Sequence, residues 1–207
     1  MLSRITNSLD EIFSKKDTTY IQKNKQLREL LEVLRKEKIL GIDTEFNWRS
    51  TYFPSLCLIQ VSTLKNIFLI DCLQVDAKII NEIFQDNSIT KVFHSIRGDI
   101  TVLKLSLNTM VRNIFDTQIA HSILNPLSQQ ISYKDLVNKY FIKLLDKKET
   151  NSDWSKRPLS AKQLEYASDD VRYLLKIMSI QIKAIEKQNL TKIFKENCNE
   201  ERKLGEQ

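Results

Sequence analysis

The sequence predicts an α/β fold, built on a mixed sheet of about five strands that is flanked by helices. Three β-prone apolar runs, ILGIDTEF, LCLIQVST and IFLIDCL, are separated by segments short enough for antiparallel neighbours. Beyond these runs, helical and strand patterns alternate, which is typical of parallel strands joined by helices. Together the two patterns predict a sheet that contains both kinds of pairing.

The remaining elements follow from apolar spacing and from capping residues. Before the sheet, NKQLRELLEVLRKEK predicts an amphipathic helix, because its leucines recur at helical intervals. After the three strands we expect a helix over 77–84, a strand in TKVFH, a helix over 98–107 and a short strand near Ile114. Ser160 and Gln163 have the spacing of a capping box, so the last strong helix is expected to begin at about Ala161.

The length of 207 residues predicts one domain, because it allows one large hydrophobic core but not two. We expect an N-terminal arm over 1–17, the folded domain over 18–187 and a charged C-terminal tail over 188–207. The three cysteines have no pairing pattern and indicate reduced thiols. No apolar run approaches the roughly 20 residues that span a bilayer, and the start lacks a secretory signal. These features predict a cytoplasmic protein without membrane contact.

The charge of the chain is compatible with a polyanionic partner, since the formal net charge is +6 and the isoelectric point is near 9.1. A polar stretch before the last strong helix, DKKETNSDWSKRP, brings Trp154 together with Lys156 and Arg157. An aromatic ring can stack on a base while cations neutralise phosphates, so these residues are candidates for binding nucleic acid. A solvated loop with one packed tryptophan is the alternative.

Two carboxylates stand inside the first of the three β-prone runs, in GIDTEF. Asp43 and Glu45 are two positions apart, so on a strand their side chains project from the same face. Side by side they repel each other, and a divalent cation would neutralise them. Oxygen ligands favour Mg²⁺ or Mn²⁺ over Zn²⁺. An edge strand with two solvated acids is the alternative.

A second acidic group lies on the last strong helix, in YASDDVRYLL. The apolar stripe of this helix defines its inward face, with Asp170 at the edge of the stripe and Asp169 toward solvent. Tyr166 precedes Asp170 by one helical turn, so the phenol and the carboxylate are neighbours. This pair faces either a cleft, where the hydroxyl could orient a metal-bound water, or a solvated rim.

A further acid, Asp99 in KVFHSIRGDITVL, stands where a predicted strand passes into a helix. Sites in open α/β sheets gather beyond the carboxyl ends of strands, which makes Asp99 a candidate for catalysis. An acid in the first turn of a helix also complements the helix dipole, and that role alone would explain its position.

Three motifs, GIDTEF, HSIRGD and YASDDVRYLL, in this order resemble the exonuclease motifs of the DEDD superfamily. They are most similar to the ribonuclease D family, in the tyrosine-containing branch. LCLIQVS, IFDTQIAH and DWSKRPLSAKQLEY are also similar to connecting segments of that family. The resemblance runs from about Thr18 to Ile180 and implies a ribonuclease H-like exonuclease fold. The chain departs from the family in one respect, because proteins like ribonuclease D usually carry helical C-terminal domains and this chain ends at Gln207 without room for one; we therefore expect a stand-alone catalytic domain.

The resemblance also implies a role for each acid. Asp43 would bridge two divalent metal ions, Mg²⁺ or Mn²⁺. Glu45 and Asp170 would hold the ion that carries the nucleophile, and Asp99 would hold the other. Tyr166 would orient the attacking water, because a phenol with an ordinary pKa is a poor general base at neutral pH.

The implied function is metal-dependent hydrolysis of RNA from its 3′ end, with release of nucleoside 5′-monophosphates. Precursors of tRNA and other structured RNAs are the expected substrates. Single-stranded DNA is an alternative substrate, because the sequence does not identify the residues that contact the sugar. The other alternative is a catalytically silent nucleic-acid-binding module, against which stands the presence of all four acids and Tyr166.

Overall fold

The computed structural model describes residues 16–48, 53–146 and 148–207. Of the predicted N-terminal arm, residues 1–15 lie outside this part of the chain. The described residues form one mixed sheet of six strands in the order β1-β4-β3-β2-β5-β6. The strands are Asp17–Ile21 (β1), Ile39–Asn47 (β2), Ser55–Ser62 (β3), Asn66–Asp71 (β4), Thr90–Phe93 (β5) and Ile114–Asp116 (β6).

The pairing confirms the predicted α/β class with a mixed sheet. Strands β2, β3 and β4 pair antiparallel, as the three consecutive apolar runs predict. Strand β5 pairs parallel with β2 and with β6. The strand that raises the number from about five to six is β1, which pairs parallel with β4 at the edge of the sheet. Its residues, DTTYI, are mostly exposed, so the sequence has no apolar pattern from which this strand could be predicted.

Helices cover both faces of the sheet. They are Asn24–Leu34 (α1), Asn81–Gln85 (α2, after a 3₁₀ turn over Ala77–Ile80), Arg97–Leu107 (α3), Thr117–Leu124 (α4), Tyr133–Phe141 (α5), Ala161–Arg172 (α6), Leu174–Lys187 (α7) and Thr191–Glu206 (α8). One hydrophobic core joins the sheet to α1, α2 and α3, and a second joins the other face to α6, α7 and α8. Within the described ranges, none of these helices has the length and apolar character to cross a membrane.

The region predicted as a charged tail contains helix α8, which packs on the first turns of α3. Phe194 and Cys198 are buried in the second core. Gly205 allows a close approach, because a Cβ atom there would lie 2.8 Å from the carbonyl oxygen of Arg97. Arg97 also forms an ion pair with Glu201 of α8, with 2.8 Å between Nε and Oε2.

Helix α6 begins at Ala161, which confirms the predicted start. Ser160 Oγ accepts from the amide of Gln163, and the Gln163 side chain accepts from the amide of Ser160. The stretch YASDDVRYLL was predicted to lie on one helix. Instead the helix is broken at Tyr173, and α7 begins at the next residue.

Candidate active site

The junction of α6 and α7 packs directly on the middle of β2. At Gly41 a Cβ atom would lie 2.4 Å from Ser62 Oγ of β3 and 3.2 Å from Leu174 Cβ of α7, so a larger residue would push α7 away from the sheet. Ser62 Oγ in turn donates to the carbonyl oxygen of Val171 over 2.8 Å. This close approach brings Asp170, the preceding residue on α6, next to the acids of β2.

Three of the predicted acids form one cluster. Asp43, Glu45 and Asp170 are partly buried, and each offers a carboxylate oxygen within 4.8 Å of the others. The Oδ2 atom of Asp170 is buried and accepts no hydrogen bond. Among the described residues, no ion pair with lysine or arginine includes these three acids. The cluster therefore has the donor atoms of a divalent-cation site, and the described part of the chain supplies no counter-charge to it.

The fourth acid, Asp99, lies beside this cluster and not within it. Asp99 stands in the first turn of α3 and is only 7% exposed. Thr44, the residue between the two acids of β2, donates from Oγ1 to Asp99 Oδ1 over 2.6 Å. Asp99 is close enough for its charge to raise the pKa values of Asp43, Glu45 and Asp170.

Asp116, which was not among the predicted site residues, holds the turn that precedes the helix of Asp99. The buried Asp116 carboxylate accepts from the amides of Ser95 and Ile96, over 3.2 and 2.8 Å. It also caps the start of α4 by accepting from two amides there. Ser95 has a positive φ of 62°, which is unusual for a residue with a side chain. An acid placed directly before a helix is a recognisable capping signal.

Burial and mutual repulsion dominate the electrostatics of the site. Burial raises the pKa of Asp43 well above its usual range, and the charges of Asp99, Asp170 and Glu45 raise it further. For Asp170, burial and the charge of Asp169 raise the pKa to about 8. Burial also raises the pKa of Asp99 to about 7, against the opposing hydrogen bond from Thr44. Without a cation, burial and mutual repulsion therefore destabilise the ionised cluster.

The metal-free protein is expected to lose stability as the pH rises. A carboxyl whose pKa is raised by folding holds its proton more tightly in the folded state than in the unfolded state. Below about pH 4, the usual pKa in the unfolded state, it is protonated in both states and does not destabilise the fold. Stability is then lost as the pH approaches 7 for Asp99 and 8 for Asp170. In EDTA, we expect urea unfolding to give a free energy about 1 to 3 kcal/mol higher at pH 5 than at pH 8. Asp170→Asn should reduce this difference, and an unchanged difference would contradict the raised pKa of Asp170 as one of its causes.

Tyr166 lies one helical turn before Asp170 on α6. Its hydroxyl is 3.2 Å from Thr150 Oγ1. Burial and the charge of Asp170 raise its pKa above the usual value, so the phenol keeps its proton at neutral pH. The ring of Trp154 lies 6.0 Å from the ring of Tyr166, between centroids, and supports it from the core side.

Trp154 and Arg157, two of the three residues predicted to contact nucleic acid, are instead held within the protein. Trp154 is only 2% exposed, so its faces are not available for a base. The Arg157 guanidinium donates to both carboxylate oxygens of the buried Asp71, over 2.6 and 2.7 Å, and to main-chain carbonyls. Lys156 remains a candidate, with 81% of its side chain exposed and its Nζ 3.8 Å from Asp153.

An exposed aromatic that was not among the predicted contacts stands three residues after Glu45 in the chain. Trp48 follows the end of β2 and is 56% exposed. Its ring stands edge-on to Phe46, with 6.3 Å between centroids. Among the residues that the structure describes, a Cβ atom at Gly98 would meet only Phe46 Cζ, at 4.0 Å. The signal was present in the sequence as FNW directly after Glu45.

Comparison with known proteins agrees with this arrangement. Residues 18–186 match a family model described as 3′-5′ exonuclease. Ribonuclease D of Granulibacter bethesdensis is 37% identical over 158 residues, which cover 75% of this chain and 40% of that protein. The chain thus spans less than half the length of this relative.

Two solved structures have the same fold. Escherichia coli RNase D, described as an exoribonuclease involved in structured RNA processing, matches with a TM-score of 0.88 and 30% identity, over 92% of this chain and 51% of that one. Brucella melitensis NrnC with bound Mg²⁺ matches with a TM-score of 0.75 and 25% identity, over 92% of this chain and 90% of that one. The predicted ribonuclease H-like exonuclease fold and the resemblance to ribonuclease D are confirmed.

Proposed function

Because the chain belongs to the 3′-5′ exonuclease family, we propose that it is a metal-dependent exoribonuclease that shortens RNA from the 3′ end and releases nucleoside 5′-monophosphates. The observation that carries the proposal is the convergence of Asp43, Glu45 and Asp170, with Asp99 beside them. RNA as the substrate is supported by the relatives named ribonuclease D and by the described role of the Escherichia coli protein in structured RNA processing. The reaction is proposed to be cytoplasmic, as the sequence predicts.

The proposed cofactors are two divalent metal ions, Mg²⁺ or Mn²⁺, which the residues of the site fit. Asp43, Glu45 and Asp170 would hold one ion, and Asp43 with Asp99 would hold the other. The unpartnered Oδ2 of Asp170 supports this assignment, since a cation would supply its missing partner. Ions of this kind activate water and stabilise the leaving oxygen of a phosphodiester. The Mg²⁺ bound to the Brucella protein supports Mg²⁺ as one choice.

The side chains around the acids would orient the reacting groups. Tyr166 keeps its proton, so its hydroxyl can hydrogen-bond the attacking water but is not the base. Thr150 limits the rotation of that hydroxyl through the contact at 3.2 Å. Thr44 holds one oxygen of Asp99 through its hydroxyl. These contacts preorganise the site, which lowers the reorganisation needed during the reaction.

The proposal is tested with 5′-labelled RNA and DNA oligonucleotides of the same base sequence, in Mg²⁺, Mn²⁺ or EDTA. We expect a ladder of products that shortens from the 3′ end with either metal and is absent in EDTA. Faster cleavage of RNA than of DNA would support RNA as the substrate, and faster cleavage of DNA would replace RNA by single-stranded DNA. Absence of a ladder with every metal, despite retained RNA binding, would favour the silent binding module.

Trp48 is expected to stack on a base of the bound RNA. The chain has two tryptophans, and Trp154 is buried, so quenching of fluorescence by RNA in EDTA should come from Trp48. Trp154→Phe should retain the quenching. Trp48→Ala should raise KM by about 5- to 100-fold, the equivalent of one base-aromatic stack, with kcat unchanged.

A control for Trp48 is Leu127→Ala, which removes a fully exposed apolar side chain elsewhere. This variant should keep the KM of the wild-type protein. The stacking assignment is contradicted when Trp48→Ala binds RNA as tightly as the wild-type protein does.

A further inference from the structure

The helical segment that carries Tyr166 and Asp170 is broken at Tyr173, and the hydroxyl of Tyr133 lies in the break. In a continuous α-helix, the amide of Tyr173 would donate to the carbonyl oxygen of Asp169. Here that amide donates to Tyr133 Oη over 3.1 Å. Tyr133 Oη in turn donates to the carbonyl oxygen of Asp169 over 3.2 Å. The phenol thus replaces one backbone hydrogen bond by two.

The inserted hydroxyl accounts for the break. Helices bend sharply at proline, at glycine-serine pairs, at π-bulges, or where a side chain enters the hydrogen-bond ladder. The sequence over 161–187 contains neither proline nor glycine. Tyr173 has φ −104° and ψ −8°, and regular helix resumes directly after it. Of these causes, only the inserted side chain is observed at the break.

Tyr133 is itself held by the segment that leads to Asp99. It is the first residue of α5, and its ring centroid lies 5.6 Å from that of His94, which follows β5. His94 Nδ1 is fixed at 2.9 Å from Thr117 Oγ1. The phenol therefore connects the strand end before Asp99 to the helix that carries Asp170.

The hydroxyl is suited to this role because it stays protonated. Burial raises the pKa of Tyr133 well above its usual value, and the charges of Asp170, Asp169 and Asp43 act in the same direction. The proton thus remains available for the carbonyl oxygen of Asp169.

We propose that Tyr133 is a positioning residue, whose hydroxyl holds the helix open after Asp170 and so sets where the Asp170 carboxylate stands relative to Asp43 and Glu45. This inference rests on the proposed function, because the positioned group belongs to the proposed metal site. Without the hydroxyl, the Tyr173 amide and the Asp169 carbonyl can pair directly. Helices α6 and α7 then approach one continuous helix, and Asp170 shifts against the sheet.

The test is Tyr133→Phe, which removes only the hydroxyl. We expect kcat on an RNA oligonucleotide to fall by about tenfold with KM unchanged, since small displacements of a reacting group have effects of this size or larger. Mn²⁺ affinity, measured by electron paramagnetic resonance without RNA, should fall as well. Tyr140→Phe makes the same change on the same helix, away from the break, and should leave both quantities unchanged.

Two measurements on the backbone complete the test. In ¹⁵N spectra the Tyr173 amide should shift strongly in Tyr133→Phe and not in Tyr140→Phe. In the wild-type protein this amide should exchange slowly with deuterium, which requires no variant to fold; fast exchange would overturn the proposal. A Tyr133→Phe protein with kcat and Mn²⁺ affinity within about twofold of wild type would overturn it too.

Failure of the proposed function is distinguishable from failure of this inference. A wild-type protein that cleaves no RNA refutes the exoribonuclease, yet Mn²⁺ affinity and the Tyr173 amide still report on Tyr133. Conversely, the positioning role alone is refuted when the wild-type enzyme is active and Tyr133→Phe has the same activity and the same Mn²⁺ affinity.

Discussion

Asp43→Asn is expected to reduce RNA cleavage by about a thousandfold or more, and to leave the metal-free protein at least as stable as the wild type. Asp43 is the acid on which the charges of Asp99, Asp170 and Glu45 all act, after the larger effect of burial. Removing its charge relieves repulsion in a cluster that forms no ion pair with a lysine or arginine among the described residues. The same change removes the carboxylate proposed to contact both metal ions, so activity and stability move in opposite directions.

Two measurements separate these effects. Single-turnover cleavage of a labelled RNA in excess enzyme gives the loss of activity. Urea unfolding in EDTA and in Mg²⁺ gives the stability, and Mg²⁺ should stabilise the wild-type protein more than Asp43→Asn, because a ligand stabilises only the state that binds it. A variant that cleaves RNA at nearly the wild-type rate would exclude Asp43 from the reaction.

Asp169→Asn is the matched control. Asp169 is adjacent to Asp170 in the chain but forms an ion pair with Arg172, with 2.7 Å between Oδ1 and Nε, and lies outside the three-acid cluster. We expect cleavage by this variant to stay within a few-fold of wild type. A loss as large as that of Asp43→Asn would mean that the effect follows charge in general rather than the cluster.

The sequence predicted most of the fold, because most elements have local patterns. The central strands are continuous apolar runs, and the start of α6 follows from Ser160 and Gln163. Strand β1 was missed because it is an edge strand, held by backbone hydrogen bonds to a strand about 50 residues away, and these leave no side-chain pattern. The break at Tyr173 was missed for a similar reason, since its cause, Tyr133, lies on a different helix.

The candidate site divides in the same way. The spacing of Asp43 and Glu45 on a strand, and of Tyr166 and Asp170 on a helix, is sufficient to predict that each pair shares a face. The stretch around Trp154 and Arg157 was misinterpreted, because local sequence shows an aromatic and a cation but not what they contact. The partner of Arg157 lies 86 residues earlier in the chain. Charge and exposure are thus separate properties, and only the first can be counted from the sequence.

That partner leads to the largest expected effect on stability. Arg157→Ala should lower the free energy of unfolding by about 3 to 5 kcal/mol, because it leaves the Asp71 carboxylate buried without its counter-charge. The Asp71 side chain is 0% exposed, and that of Arg157 is 16% exposed. Although burial acts in the opposite direction, Arg157 and the hydroxyl of Tyr20 hold the pKa of Asp71 below its usual value.

The pH dependence and the neighbouring lysine distinguish this structural role from RNA binding. A lowered pKa contributes stability above the unfolded value of about 3.9, and this is lost as the pH falls through the folded value. Without Arg157, burial raises the pKa of Asp71, so the difference between wild type and Arg157→Ala in urea unfolding should be largest near pH 8 and shrink as the pH falls and the variant's Asp71 takes up a proton. Lys156→Ala should unfold like the wild type and weaken only RNA binding, since its side chain is 81% exposed. A stable Arg157→Ala protein with weakened RNA binding would instead mean that Arg157 contacts nucleic acid, as its sequence context predicts.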